Sequence, residues 1–372
     1  MSKKFNIFLS ALFCAFIGGV AAVSLLLPDK DFLPLENRYP QKPPRLSVES
    51  LGSGKFMTEA EKYVSDHIVG RDFWVAAKAW SERLSGKKEN EGVYFGKQDT
   101  LINRVQDPDP AKLERDMGYV DALAGNVSVP VYFGLIPSAA EIWRDRLPDG
   151  APTADEKAVI DRLYFSTGAS PIDLYSALAA HSGEDIYYRT DHHWTSLGAY
   201  YGANAIFEAL GMEPIDLADY QKTTVTSQFN GTSFSTSGVR LLPPDSIDTY
   251  VPNEGIKVTS YFKGAPEEGS LYVDSFLEVK DKYSYFLGGR QPLCVVEKEG
   301  SDVPKVLVVR DSYSDSLAPF LTERFSEVHL FDPRDNLSSI KGYVEEHGID
   351  MVLVLYSFAN FTTDSNLFVL AR

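Results

Sequence analysis

Cysteine is nearly missing from the 372-residue chain, which holds only Cys14 and Cys294. Two such thiols cannot make a disulfide framework or a four-thiolate zinc site, and both read as non-functional. Basic charge is also scarce: 36 Lys and Arg stand against 52 Asp and Glu, a net charge of −16. A nucleic-acid binder needs a basic stripe to displace counterions, so that class is excluded. Internal repeats and low-complexity tracts are lacking as well. The remainder, 44% hydrophobic and 24% charged, has the balance of a chain that builds a sizeable core.

One long apolar run exists. Ile7 to Leu27 carries no charge, and its rise of roughly 31 Å would cross a hydrocarbon core. Lys3 and Lys4 on the short side predict a cytoplasmic N-terminus, with everything after Pro28 outside. A cleavable signal peptide competes, because Val20-Ala21-Ala22 offers small residues. The run continues through Leu25-Leu26-Leu27, longer than a usual signal core, which favours an uncleaved anchor over residues 1–28. Cys14 follows Phe13, a poor match to a lipoprotein cleavage site.

Residues 29–90 read as an extracytoplasmic connector. Pro28, Pro34, Pro40, Pro43 and Pro44 predict an extended stalk, since proline fixes φ and removes donors. Phe56, Ala60, Tyr63, Val64, Ile68, Phe73, Trp74, Ala77 and Trp80 then recur at helical spacing, predicting amphipathic helices broken near Gly70. From residue 91 to 372 strands and helices alternate. Strands are expected at 129–135, 186–188, 306–309, 328–331 and 351–355, and helices at 154–166, 196–210, 316–325 and 337–347. That alternation is the mark of an α/β domain with a parallel sheet. Residues 222–300 are rich in Thr, Ser, Gly and Tyr and read as a β-rich insertion between two parts of the sheet.

Two places could carry chemistry. Arg310-Asp311-Ser312-Tyr313-Ser314 directly follows the apolar run Lys305–Val309. Ligands meet the carboxyl ends of parallel strands, where the next helix points its amides. A serine there would expose a hydroxyl, with its own N–H aimed where an oxyanion forms. The plainer alternative is that Asp311 and Ser312 only cap the helix. The second place is Thr190-Asp191-His192-His193-Trp194-Thr195. In extended chain Asp191 and His193 share a side, and a carboxylate on one imidazole nitrogen frees the other to take a proton. The alternative is a buried polar turn. A metal reading finds too few ligands: the further aspartates and the Gly-rich His motif of manganese phosphodiesterases are not found. Together Asp191, His193 and Ser312 supply the parts of a serine acyl-transfer site.

These residues resemble a known family. Asp191-His192-His193-Trp194-Thr195 is the motif for which the DHHW protein family is named, a family similar to the alginate O-acetyltransferase-like branch of SGNH hydrolases. Glu36-Asn37-Arg38, Phe56 through Asp66 to Arg71-Asp72, Gly92–Lys97, Leu135-Ile136-Pro137-Ser138 and Arg310–Ser314 also look like family positions. The resemblance covers nearly everything after about residue 30. It implies a three-layer αβα SGNH-like domain, with Ser312 as nucleophile, His193 as general base and Asp191 orienting it. Two departures from ordinary SGNH hydrolases stand out. Arg310 replaces a glycine, and one residue, not two, separates the Asp from the His. The glycine and asparagine of the usual oxyanion hole have no secure counterparts; Asn360 is a candidate only by position.

The resemblance implies an extracytoplasmic O-acetyltransferase acting on a secreted or cell-surface polysaccharide. It implies no resident cofactor, and a membrane-bound O-acyltransferase as acetyl donor. A carbohydrate O-acetylesterase with the same triad, or a non-catalytic polysaccharide-binding subunit of an export complex, are the competing readings.

Overall fold

The computed structural model describes residues 3–262, 264–300 and 303–372. The chain divides into two compact units: residues up to Lys87 together with Gly238–Leu241, and Lys88–Ser237 with Leu242–Arg372.

In the first unit, Lys3–Leu26 is one helix of 24 residues with mean hydropathy 2.3 and no buried residue. It is long and apolar enough to cross a bilayer, which fits a single-pass anchor or a signal peptide. The proline-bearing segment after it is not simply extended. Leu33 and Arg38 form a β-bridge around a short turn at Pro34–Glu36. The Arg38 guanidinium then forks onto Asp66 at 2.5 and 2.9 Å, and Arg71 Nη1 lies 2.6 Å from Glu36 Oε1. These ion pairs fold the chain back onto the helices Lys55–His67 and Arg71–Leu84. The break between the helices comes at Gly70, whose φ of +67° suits glycine. Val64 and Phe73, expected on a buried face, are 62% and 65% exposed.

The second unit is a mixed α/β domain around an eight-stranded sheet. From one edge the strands are Ser170–Pro171, Val131–Ile136, Met351–Ser357, Lys305–Arg310, Glu327–Phe331, Leu293–Lys298, Ile256–Phe262 and Ala265–Gly269. The first five pair in parallel. Their uninterrupted Val/Leu runs, such as Val306–Val309 and Val352–Leu355, are fully buried, as strands covered on both faces must be.

The last three strands pair antiparallel, so the sheet is mixed rather than purely parallel. They also correct the reading of residues 222–300. Only the ribbon of Thr223–Phe229 with Asp245–Thr249 stands apart, while the rest of that segment's strands extend the main sheet. Polar residues account for the difference: Ile256–Phe262 carries Lys, Thr and Ser between its apolar residues, a half-covered pattern unlike the central runs.

Two other elements differ from expectation. Ile186–Tyr188 is no sheet strand; Tyr187 makes a single bridge to Trp194, closing the loop that holds the two histidines. The helix expected at 316–325 runs instead from Tyr313 to Leu321 and tolerates Pro319 internally.

Trp194 fixes the packing between the helices Ser196–Ala209 and Tyr313–Leu321. It is fully buried, and its indole N–H reaches Tyr313 O at 2.9 Å and Ser316 Oγ at 3.0 Å. Gly202 makes room for it, since a Cβ there would meet the indole at 2.7 Å. Gly202→Ala is expected to cost about 1–3 kcal/mol through overpacking, measured as a lowered denaturation midpoint. An unchanged midpoint would mean that the indole has room to move.

Candidate active site

Strand ends and turns bring Asp191, His193 and Ser312 into a line. His193 Nε2 lies 2.8 Å from Ser312 Oγ, and His193 Nδ1 lies 2.6 Å from Asp191 Oδ1. Asp191 and His193 are buried and Ser312 is half-buried. The single-residue spacing works because the carboxylate turns back on its own chain: Asp191 Oδ1 also accepts the His193 backbone N–H at 3.0 Å. This Asx-turn geometry is one that aspartate forms readily.

Asp191 is held from the other side as well. Its Oδ2 accepts the Thr232 N–H at 2.7 Å and the Thr232 hydroxyl at 2.9 Å. Burial alone would raise its pKa, but the charges of His192 and His193 with these hydrogen bonds hold the carboxyl well below its usual range. Gly231 allows this approach, since a Cβ there would come within 2.2 Å of Asp191.

The serine is presented by its neighbours. Asp311 Oδ1 accepts the Tyr313 N–H at 3.0 Å, while the Ser312 side chain makes no capping bond. Asp311 thus does the capping, and the Ser312 hydroxyl is left to His193. The other oxygen of Asp311 accepts Ser357 N at 2.9 Å, Ser357 Oγ at 2.6 Å and Asn360 Nδ2 at 2.8 Å. This ties the end of the neighbouring strand to the serine turn. Arg310, the departure from glycine, is fully buried and bonded to Asp315 Oδ1 at 2.7 Å.

Tyr283 touches both partners. Its ring stacks on His193 with centroids 3.8 Å apart and planes at 9°, and its hydroxyl reaches Ser312 O at 3.1 Å. Neither Thr232 nor Tyr283 carried a signal in the sequence; both sit in the 222–300 segment without a motif. Asn360 lines a cleft of about 380 Å³ with Asn103, Arg104, Ser138, His192 and Tyr313.

Asp191, His192 and His193 offer ligand atoms within 4.8 Å of one another. Each residue is engaged in a hydrogen bond: Asp191 Oδ1 with His193 Nδ1, His193 Nε2 with Ser312, and His192 Nδ1 with Thr232. The donor set fits a proton relay better than a metal cradle.

A buried acid stands behind the cleft wall. Glu156 is fully buried, accepts the Ser138 N–H at 2.9 Å and the Ser138 hydroxyl, and is pushed up by burial to about 7.

The family model described as DHHW protein matches residues 116–331. Among curated proteins none matches the chain. A DHHW family protein from Eubacterium siraeum superposes with a TM-score of 0.68 at 24% identity, covering 76% of this chain and 95% of that one. Bacillus cereus PatB1, solved with a sulfonyl adduct, gives 0.62 at 21% identity, covering 74% and 97%. Both likenesses concern the fold.

Two outcomes are expected. Gly231→Ala should displace Asp191 and lower turnover at least tenfold, with a stability loss of about 1–3 kcal/mol; unaltered kinetics would show that Asp191 needs no fixed position. Between roughly pH 4 and 7 the folded state holds a proton on Glu156 that the unfolded state releases, so this group's stabilisation falls as pH rises through that window. Glu156→Gln should therefore raise the melting temperature more at pH 8 than at pH 5, and a gain confined to pH 5 would contradict the raised pKa.

Proposed function

The chain belongs to the DHHW protein family, and from that premise we propose that it is an extracytoplasmic O-acetyltransferase modifying a secreted or cell-surface polysaccharide through an acetyl-serine. The observation that carries the reading is the relay of Asp191, His193 and Ser312 at 2.6 and 2.8 Å. The sulfonyl adduct of PatB1, a protein of the same fold, is in keeping with it.

In the first half-reaction His193 Nε2 takes the Ser312 proton while Oγ attacks the donor's acetyl carbonyl. The carbonyl oxygen becomes an oxyanion facing the start of the Tyr313–Leu321 helix, where the Ser312 amide makes no backbone hydrogen bond among the described residues. The donor's leaving group then departs with the proton from His193, giving acetyl-Ser312. In the second half a sugar hydroxyl yields its proton to His193, attacks the acetyl carbon, and Ser312 leaves protonated. Asp191 stays ionised and stabilises the imidazolium twice in each cycle. The Lys3–Leu26 helix would tether the chain to the membrane that carries a membrane-bound O-acyltransferase as acetyl donor.

Ser312→Ala should abolish acetyl transfer, and Asp191→Asn should lower it by about 10⁴-fold with the fold intact. A sulfonyl fluoride should modify the wild type, Ser312 Oγ bonding to sulfur as fluoride leaves and His193 takes the hydroxyl proton, and should leave Ser312→Ala unlabelled. In cells carrying Ser312→Ala, loss of polymer acetyl groups supports transfer and their accumulation supports hydrolysis. Unchanged acetylation sinks both enzymatic readings in favour of a polysaccharide-binding subunit.

A further inference from the structure

The second histidine of the motif takes no part in the relay, yet its proton is fixed. Thr232 Oγ1 lies 2.9 Å from Asp191 Oδ2 and 2.7 Å from His192 Nδ1. A hydroxyl has one proton, and an ionised carboxylate can only accept, so that proton goes to Asp191. Thr232 Oγ1 must then accept from His192, which places a hydrogen on Nδ1. Burial, reinforced by His193, pushes the imidazolium of His192 down to about 4, so the ring is neutral near pH 7. Asp191, Asp311, His193 and Tyr313 are the titratable groups that face it. Its Nε2 therefore carries a bare lone pair, which has no hydrogen-bond partner among the described residues. The side chain is one-third exposed on the cleft wall, and its ring lies against His193 with centroids 3.9 Å apart.

We infer that His192 Nε2 accepts a hydrogen bond from a hydroxyl of the incoming acceptor, making the cleft a site for polyols with adjacent hydroxyls. One hydroxyl gives its proton to His193 and bonds to the acetyl carbon as the Ser312 Oγ–carbon bond breaks. Its neighbour only donates a hydrogen bond to His192, and no proton is transferred there. An acceptor without that second hydroxyl leaves a lone pair unmatched, which is how a hydrogen-bonding site discriminates. The inference rests on the acyl-transfer reading for its use, but not for the tautomer.

Glycerol, which carries vicinal hydroxyls, serves as the probe. The full-length protein is given p-nitrophenyl acetate, and glyceryl acetate formed per acetate released is measured. His192→Phe keeps the ring but lacks the acceptor atom, and should lower that ratio about tenfold, the worth of one hydrogen bond. His192→Gln, with an amide oxygen, should restore part of it. A wild type that forms no glyceryl acetate, or a His192→Phe ratio equal to wild type, overturns the proposal. Nitrogen NMR of the unmodified protein decides independently of folding in the variants: the His192 signals must report hydrogen on Nδ1, and glycerol must move the Nε2 resonance. Hydrogen on Nε2, or no movement, overturns it. Ester turnover that survives in Ser312→Ala would instead sink the acyl-transfer reading, with the NMR result untouched.

Discussion

The carboxylate of Asp191 accepts four hydrogen bonds: from the backbone and ring of His193, and from the backbone and hydroxyl of Thr232. A buried anion so fully satisfied stays charged and stays still. The orientation of the His193 ring follows from it, and so does the direction in which Nε2 meets Ser312. Because Thr232 bridges to His192, the same anion also sets the proton on the second imidazole. One side chain thus governs the protonation pattern of a motif that in sequence is only a string of polar residues.

The serine's side of the site divides its tasks among adjacent residues. Asp311 caps the helix and anchors Ser357 and Asn360, Arg310 turns away to pair with Asp315, and Ser312 keeps an uncommitted hydroxyl. A buried charge pair such as Arg310–Asp315 adds little net stability. It does remove the flexibility that a glycine would bring to the turn behind the serine.

The central sheet and the relay were legible because their signals are local. Val306–Val309 and Met351–Leu355 are uninterrupted apolar runs, and the helix from Ser196 is announced by the capping Thr195. Asp191 and His193 share a turn, so their pairing could be read from spacing; their meeting with Ser312 needed only the rule that sites gather at strand ends. The sheet's antiparallel extension was not legible, since Ile256–Phe262 mixes Lys, Thr and Ser among its apolar residues as a free-standing ribbon would. Thr232 and Tyr283 were also hidden. Their roles depend on a loop returning to touch the site, and neither a threonine nor a tyrosine signals that by type. The helix after Ser312 starts three residues early because Asp311, one of the two caps the sequence offered, fixes its first turn.

The sheet's topology also bears on how the chain is made. Val131–Ile136 lies between Ser170–Pro171, which pairs with it over only two residues, and Met351–Ser357. Synthesis at roughly 5–20 residues per second puts about 10–40 s between the appearance of this strand and that of its main neighbour. During that interval the segment lacks the neighbour that supplies most of its ladder hydrogen bonds. The centre of the sheet is therefore completed late, when a strand from near the chain's end docks beside Val131–Ile136.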